Sequence, residues 1–235
     1  MDSSTLQQLY QLLFDRFGSR RWWPAETPFE VIVGAILTQN VAWKNVEKAI
    51  ANLKGAGLLD PAALYAVSAG ELEPLIRSTG YFRAKAKKLK AFVAHLHERY
   101  DGSLERMWTR PLAELRAELL AIYGIGPETA DAILCYAGGY PVMVVDAYTR
   151  RVFCRLGLAS PAASYGELQR LFMANLPPDA RLFNEYHALI DALAHGVCLK
   201  RAPLCGRCPL AGVCREAGIS PSAAAAAVGV PVDPR

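Results

Sequence analysis

The chain has 235 residues, of which 52% are apolar and 20% charged, with a formal net charge of +4. That length supports a sizeable core in one domain or two modest lobes, and that balance excludes a disordered chain. The small positive charge fits a local basic face and excludes a general coat of positive charge.

The first residues, MDSSTLQQLYQLLFDRF, carry polar and acidic groups early and no long apolar run, so they do not read as a signal peptide. No stretch approaches the roughly 20 apolar residues of a membrane span. No membrane association and a cytoplasmic address are expected. Leu6, Leu9, Tyr10, Leu13, Phe14 and Phe17 fall on one stripe, which predicts a helix over 4–17. RRWWPAET reads as a loop. Thr27-Pro28-x-Glu30 supplies a cap, a proline for the first helical position and a capping-box glutamate. The helix behind it, PFEVIVGAILTQ, is apolar nearly all round, the pattern of a central buried helix. Further helices are predicted over 43–53, 61–67, 71–77, 81–99, 112–122, 128–137, 147–156, 165–175 and 179–197. Many short helices joined by short loops predict an all-α fold. The tail, SPSAAAAAVGVPVDPR, has little to bury and reads as frayed.

Chemistry concentrates in 123–151, YGIGPETADAILCYAGGYPVMVVDAYTRR. Gly124 and Gly126 flank Ile125 between two amphipathic helices, and Ile125 is expected to tuck inward. The N–H groups and positive dipole end of the second helix would form a compact anion site fit for one phosphate. Taken alone, the same GIG also reads as an ordinary turn. Asp146 precedes the helix AYTRRVF and is a ready N-cap. A fixed carboxylate there could also stabilise positive charge on a sugar and orient water. One oxygen could cap while the other faces a substrate, so the two roles are compatible.

Cys135 and Cys154 sit in apolar helical sequence and read as small buried hydrophobes. The other four form Cys198-x6-Cys205-x2-Cys208-x5-Cys214. Crowded cysteines in a reducing compartment favour a metal over disulfides, and four thiolates suit zinc or an iron–sulfur cluster.

Leu119-x-x-x-Tyr123-Gly124-Ile125-Gly126-x-x-Thr129-Ala130, followed by Val144-Val145-Asp146-x-x-x-x-Arg151-Val152, resembles the helix-hairpin-helix DNA glycosylases. The cysteine spacing narrows the resemblance to the endonuclease III family, over roughly residues 5–214. It implies a two-lobed all-α glycosylase fold with a cleft and a C-terminal [4Fe-4S] cluster loop at 198–214. The central barrel would be 24–134, ending in the hairpin. Residues 1–23 and 135–214 would form a discontinuous second domain, with 215–235 a flexible tail. It further implies a monomer acting on double-stranded DNA with a damaged base. Gly124, Ile125, Gly126 and Thr129 would bind phosphate, and Gln39 would fill the space left by the flipped nucleotide. Asp146 would be the catalytic aspartate, and Cys198, Cys205, Cys208 and Cys214 would hold the cluster.

Two departures shape the expected reaction. Relatives that also cleave the strand carry a lysine two residues after the second hairpin glycine; here that place is Glu128, which cannot form a Schiff base but could position water. Adenine-specific relatives use a glutamate on the early buried helix where this chain has Ala35. The expectation is a monofunctional base-excision-repair glycosylase with little lyase activity. RWWPAETPFEVIVGAILTQNVAWKNVEKA and the segment before Asp146 look more like the 3-methyladenine subgroup than the pyrimidine-lesion enzymes. An alkylated purine already carries positive charge, and Trp22, Trp23, Trp43 and Tyr148 are candidates for its pocket. The same aromatics also read as core anchors. A pyrimidine-lesion or mismatch glycosylase, and a non-catalytic DNA-binding or redox module, are the alternatives.

Two further groups complete the reading. Arg83, Lys85, Lys87, Lys88 and Lys90 on one helix read as a solvated face or as one side of a DNA cleft. His187 and His195, on the helix leading to Cys198, are not expected to be catalytic.

Overall fold

The computed structural model describes residues 3–20 and 23–217. Trp22 and residues 218–235, most of the expected tail, lie outside the described residues. The elements are α1 (Ser3–Phe17), α2 (Pro28–Leu37), α3 (Trp43–Gly55), α4 (Pro61–Ala66), α5 (Ala69–Leu75), α6 (Phe82–Tyr100), α7 (Leu104–Met107), α8 (Leu112–Ala121), α9 (Pro127–Ala132), α10 (Ala147–Leu156), α11 (Tyr165–Met173) and α12 (Ala180–Gly196). A π-helical turn, Ile133–Ala137, continues α9. Among the described residues there is no β-strand, so the fold is all-α. The described residues of Trp23–Val144 with Asp179–Arg181 form one compact unit, and those of Met1–Trp22, Val145–Pro178 and Leu182–Arg235 form the other.

In the first unit α2 is the axis. Phe29 to Leu37 are all buried, as a helix apolar on every side requires. α3, α6, α9 and the π-helical turn pack around it. Its start uses the expected cap: the Thr27 hydroxyl accepts from the Glu30 N–H at 3.1 Å. The reciprocal bond is displaced by one residue, because the Glu30 carboxylate accepts from the Glu26 N–H.

The charge run of α6 divides: Arg83 and Lys87 are exposed, as a solvated face requires, whereas Lys85 and Lys90 are spent on backbone carbonyls. Lys85 is only 2% exposed, and its ammonium donates to Leu37 O at 2.9 Å and Thr79 O at 2.6 Å. Lys90 donates to the carbonyls of Leu64 and Val67, closing the end of α4. Leu37 and Leu64 lie in the last turns of α2 and α4, where carbonyls run out of intrahelical donors, and the lysines complement the negative dipole ends. Burial and the neighbouring Lys88 pull Lys85 down to about 8. α8 and α9 are clamped by Arg116, whose guanidinium holds the fully buried Asp131 through two bonds of 2.7 and 3.0 Å.

The second unit is built from α1, α10, α11 and α12. Leu6, Leu9 and Leu13 face inward. Phe153, Phe172 and Tyr186 pack ring on ring, with centroids 4.7 and 5.4 Å apart. The Tyr186 hydroxyl donates to Leu6 O at 3.0 Å, so the buried phenol is satisfied. Arg151 of α10 donates to Ala194 O and Cys198 O, both at 3.0 Å, and holds the C-terminal end of α12.

The cysteine-bearing segment corrects the expectation of a [4Fe-4S] loop. All six cysteines are free thiols. Among the described residues no group of three or more His, Cys, Asp or Glu side chains is arranged to hold a metal ion. Cys198, Cys205, Cys208 and Cys214 are therefore not cluster ligands here, and the residues do not fit that cofactor. Instead, Cys198 Sγ accepts from Arg155 at 3.3 Å, and the Cys214 thiol donates to Arg155 O at 3.4 Å. Burial, with neighbouring Cys198, Cys214 and Cys205, pushes the Cys208 thiol up to about 11, which keeps it protonated.

Candidate active site

The hairpin is a tight reversal between α8 and α9. The Ile125 N–H donates to Ile122 O at 3.1 Å, and Gly124 takes φ 79°, a left-handed conformation that favours glycine. A Cβ on Gly124 would also collide with the Lys88 side chain. Ile125 is buried and Tyr123 is 62% exposed. Gly126 caps α9 with ordinary extended backbone, φ −92° and ψ 178°, and contributes no side-chain acceptor. A Cβ there would meet nothing, so the approach to this helix start is open.

Gln39, just beyond α2, is tied to that hairpin. Its amide donates to Gly124 O at 3.1 Å and to the Thr129 hydroxyl at 2.9 Å, and its oxygen accepts from Lys88. The structure thus joins Gln39, Gly124 and Thr129, three residues singled out separately in the sequence, and adds Lys88. Thr129 itself is buried, so its hydroxyl serves Gln39. Glu128 is exposed on the first turn of α9, where a carboxylate suits the dipole.

Trp23 and Trp43 meet edge to face, with centroids 5.0 Å apart. Trp23 also lies 5.5 Å from Tyr136, a residue the sequence did not mark as part of a site. Two backbone features bring the three together. Gly34 lets the indole lie directly on α2, since a Cβ there would sit 3.0 Å from the ring. The π-helical turn carries Tyr136 on α9's continuation. All three rings remain partly exposed. Tyr81, also unmarked, sits at the start of α6 with φ 45° and is 81% exposed. A large aromatic held outward on a left-handed residue is uncommon; Gly80-Tyr81 was the available signal.

Asp146, in the other unit, is the N-cap of α10. Its Oδ1 accepts from the Thr149 N–H at 2.7 Å. Its Oδ2 lies 3.6 Å from His187 Nε2, and the side chain keeps 15% exposure. Burial alone would raise this carboxyl. The nearby charge of His187 and the Thr149 N–H outweigh it and hold the group down at about 2. His187 was set aside in the sequence, yet it is buried on α12 beside the aspartate. Tyr148 of α10 hydrogen-bonds His195 at 3.0 Å, and the Arg151 guanidinium lies 5.1 Å from its ring centroid. Both histidines belong to the network around Asp146 and Tyr148.

Residues 33–178 match the HhH-GPD superfamily of base excision DNA repair proteins. The chain belongs to that superfamily. Within it, the chain is 47% identical over 204 residues to the "Putative DNA repair glycosylase MJ1434" of Methanocaldococcus jannaschii, covering 86% of this chain and 92% of that one. It superposes on a non-covalent endonuclease III–DNA complex with TM-score 0.79 and 26% identity, covering 93% and 98% of the two chains. It superposes on the H. pylori 3-methyladenine DNA glycosylase bound to 1,N6-ethenoadenine with TM-score 0.72 and 29% identity, covering 82% and 97%. Among the described residues of this HhH-GPD protein, no helix is long and apolar enough to cross a membrane.

Proposed function

We propose that this protein is a DNA N-glycosylase that releases a damaged base by hydrolysis, with Asp146 as the catalytic carboxylate. The observation that carries the reading is the geometry of that carboxylate: one oxygen is spent on the helix cap and the other lies 3.6 Å from His187 Nε2, an environment that holds the group low. Breaking an N-glycosidic bond leaves positive charge on the sugar, and a fixed anion stabilises it without reorganising. A group with so low a pKa is a weak base. Asp146 therefore acts chiefly through its charge and by orienting water.

The remaining parts take roles that suit double-stranded DNA. The start of α9, at Gly124 and Gly126, accepts one backbone phosphate through N–H groups and dipole, while the Ile125 N–H stays with Ile122 O and its buried side chain holds the turn. Tyr81 and Tyr123 offer exposed stacking faces to a disturbed base step. Gln39 leaves the hairpin to fill the gap behind an extruded nucleotide, and extrusion costs a few kcal/mol. Glu128 occupies the position, two residues after the second hairpin glycine, where strand-cleaving relatives carry a lysine, and a carboxylate cannot form a Schiff base. The amines of Lys85 and Lys88 are already engaged by Leu37, Thr79 and Gln39. Little lyase activity follows.

For the base itself we favour an alkylated purine. Trp23, Trp43 and Tyr136 present a half-open aromatic wall that suits a cationic ring, and such a leaving group needs no strong acid. A pyrimidine-lesion or mismatch glycosylase is the second reading, favoured by the wider superposition on endonuclease III. Mass analysis of bases released from methylated, oxidised and deaminated duplexes separates them. Methylated purines are expected in the supernatant. Release confined to pyrimidines would install the second reading, and no release from any duplex would leave a non-catalytic DNA-binding module.

A further inference from the structure

The reaction proposed above leaves a proton without an acceptor. When water adds to the sugar, its proton must go somewhere, and a carboxylate that stays ionised to about pH 2 takes it poorly. Two residues after Asp146, on the same helix start, stands a hydroxyl held in a different manner.

His195 on α12 lies between two partners. Its Nδ1 is 3.1 Å from Asp191 Oδ2, one turn back on the same helix. Its Nε2 is 3.0 Å from the Tyr148 hydroxyl. If Nδ1 carries the hydrogen and gives it to Asp191, Nε2 is an acceptor aimed at the phenol. The rings meet edge to face at 4.6 Å, and the Arg151 guanidinium lies 5.1 Å from the phenol ring centroid. The His195 side chain is 60% exposed, so it exchanges protons with solvent, whereas Tyr148 is half-buried. An acid that orients an imidazole, an imidazole that accepts from a hydroxyl, and a hydroxyl carried two residues after the Asp146 cap form a directional chain.

We propose that Tyr148, His195 and Asp191 form a proton relay that serves the attacking water; the proposal rests on the assignment of Asp146 above. As the water oxygen bonds to the sugar carbon, the carbon–nitrogen bond breaks and its electron pair leaves with the base. The water proton passes to the Tyr148 oxygen, and the Tyr148 proton passes to His195 Nε2. The imidazolium stays paired with Asp191 and loses its extra proton to solvent. Tyr148 returns unchanged to the phenol form.

The relay works only with neutral His195. The hydrogen bond to Asp191, opposed by partial burial and aided by the charges of Asp191 and Asp146 against Arg151, raises His195 above its ordinary 6.5. The facing groups on both packed elements are thus Asp191 on α12 and Asp146, Tyr148 and Arg151 around α10. The excision rate should fall as pH drops through that raised value, a range in which Asp146 does not titrate.

The test is single-turnover release of base from a methylated duplex at saturating enzyme, from about pH 5 to about pH 9. Tyr148→Phe and His195→Gln should each slow release by about 10²-fold at the upper end and flatten the acid limb, with DNA affinity nearly unchanged. Asp191→Asn should move the limb to lower pH. Because His195 is exposed, His195→Gln carries the test if Tyr148→Phe folds poorly. Wild-type rates in both variants, or slow rates with the limb intact, would overturn the relay. Asp146→Asn separates the two levels. If it abolishes release while Tyr148→Phe and His195→Gln remain wild type, only the relay fails; if it releases base normally, the Asp146 assignment fails and the relay with it.

Discussion

Two helix starts, six residues of α9 and ten of α10, solve the same problem in opposite ways. Both have backbone N–H groups at the first turn that look for an acceptor. At α9 the cap is Gly126, with no acceptor of its own and open space where a side chain would be. At α10 the cap is Asp146, which fills the position with a carboxylate and is itself held by His187. A start left empty is suited to an anion from outside; a start already filled presents a fixed charge to something else. The difference between phosphate grip and transition-state stabiliser thus comes down to one side chain at equivalent positions of two helices.

The largest effect that should break this contrast is at Asp146. Asparagine caps a helix about as well as aspartate but carries no charge. Asp146→Asn should lower single-turnover base release by about 10³-fold with DNA affinity nearly unchanged, read by quench-flow beside a fluorescence binding titration. Full activity in the variant would mean the α10 start is only a cap.

Acid titration sharpens the same point. The folded Asp146 carboxyl sits at about 2, below its ordinary 3.8, so its stabilising contribution is present above the ordinary value and is lost as pH falls through about 2. Wild type should exceed Asp146→Asn by roughly 2 kcal/mol near pH 5, with the gap closing toward pH 2. Urea unfolding across that range measures it, and a gap independent of pH would remove the charge from the account.

Gly126→Asp would turn the open start into a filled one. It should gain a few tenths of a kcal/mol in stability from the new cap. DNA affinity should weaken by about tenfold, and the slope of log affinity against log salt should fall by about one phosphate's share. Unchanged binding would deny the α9 start a phosphate. The smallest effect is the cap itself: Asp146→Ala should be about 1 kcal/mol less stable than Asp146→Asn in thermal unfolding.

Much of this layout was legible wherever the signal is local. The Thr27 cap, the all-round apolar α2 and the Asp146 cap are fixed by neighbours within four residues, and each appears as the pattern implies. What depended on distant partners was not legible. Lys85 and Lys90 of α6 turn to backbone carbonyls 48 and 23 residues away. His187 meets Asp146 only when α12 packs beside α10, and nothing near either residue announces it. Tyr136 joins Trp23 through a π-helical turn, which no apolar periodicity predicts. The cysteine spacing suggested a cluster, but spacing reports only how close thiols are along the chain; in space Cys198 and Cys214 meet Arg155 groups, and among the described residues no three such side chains are arranged to hold a metal.

The central claim is that an ionised carboxylate, with no amine bonded to the sugar, releases the base. Borohydride trapping with a duplex that the wild-type protein is actively excising tests it most directly. The account predicts free base, an intact strand bearing an abasic site, and no protein–DNA adduct. A strong covalent complex, formed in step with base release, would contradict it.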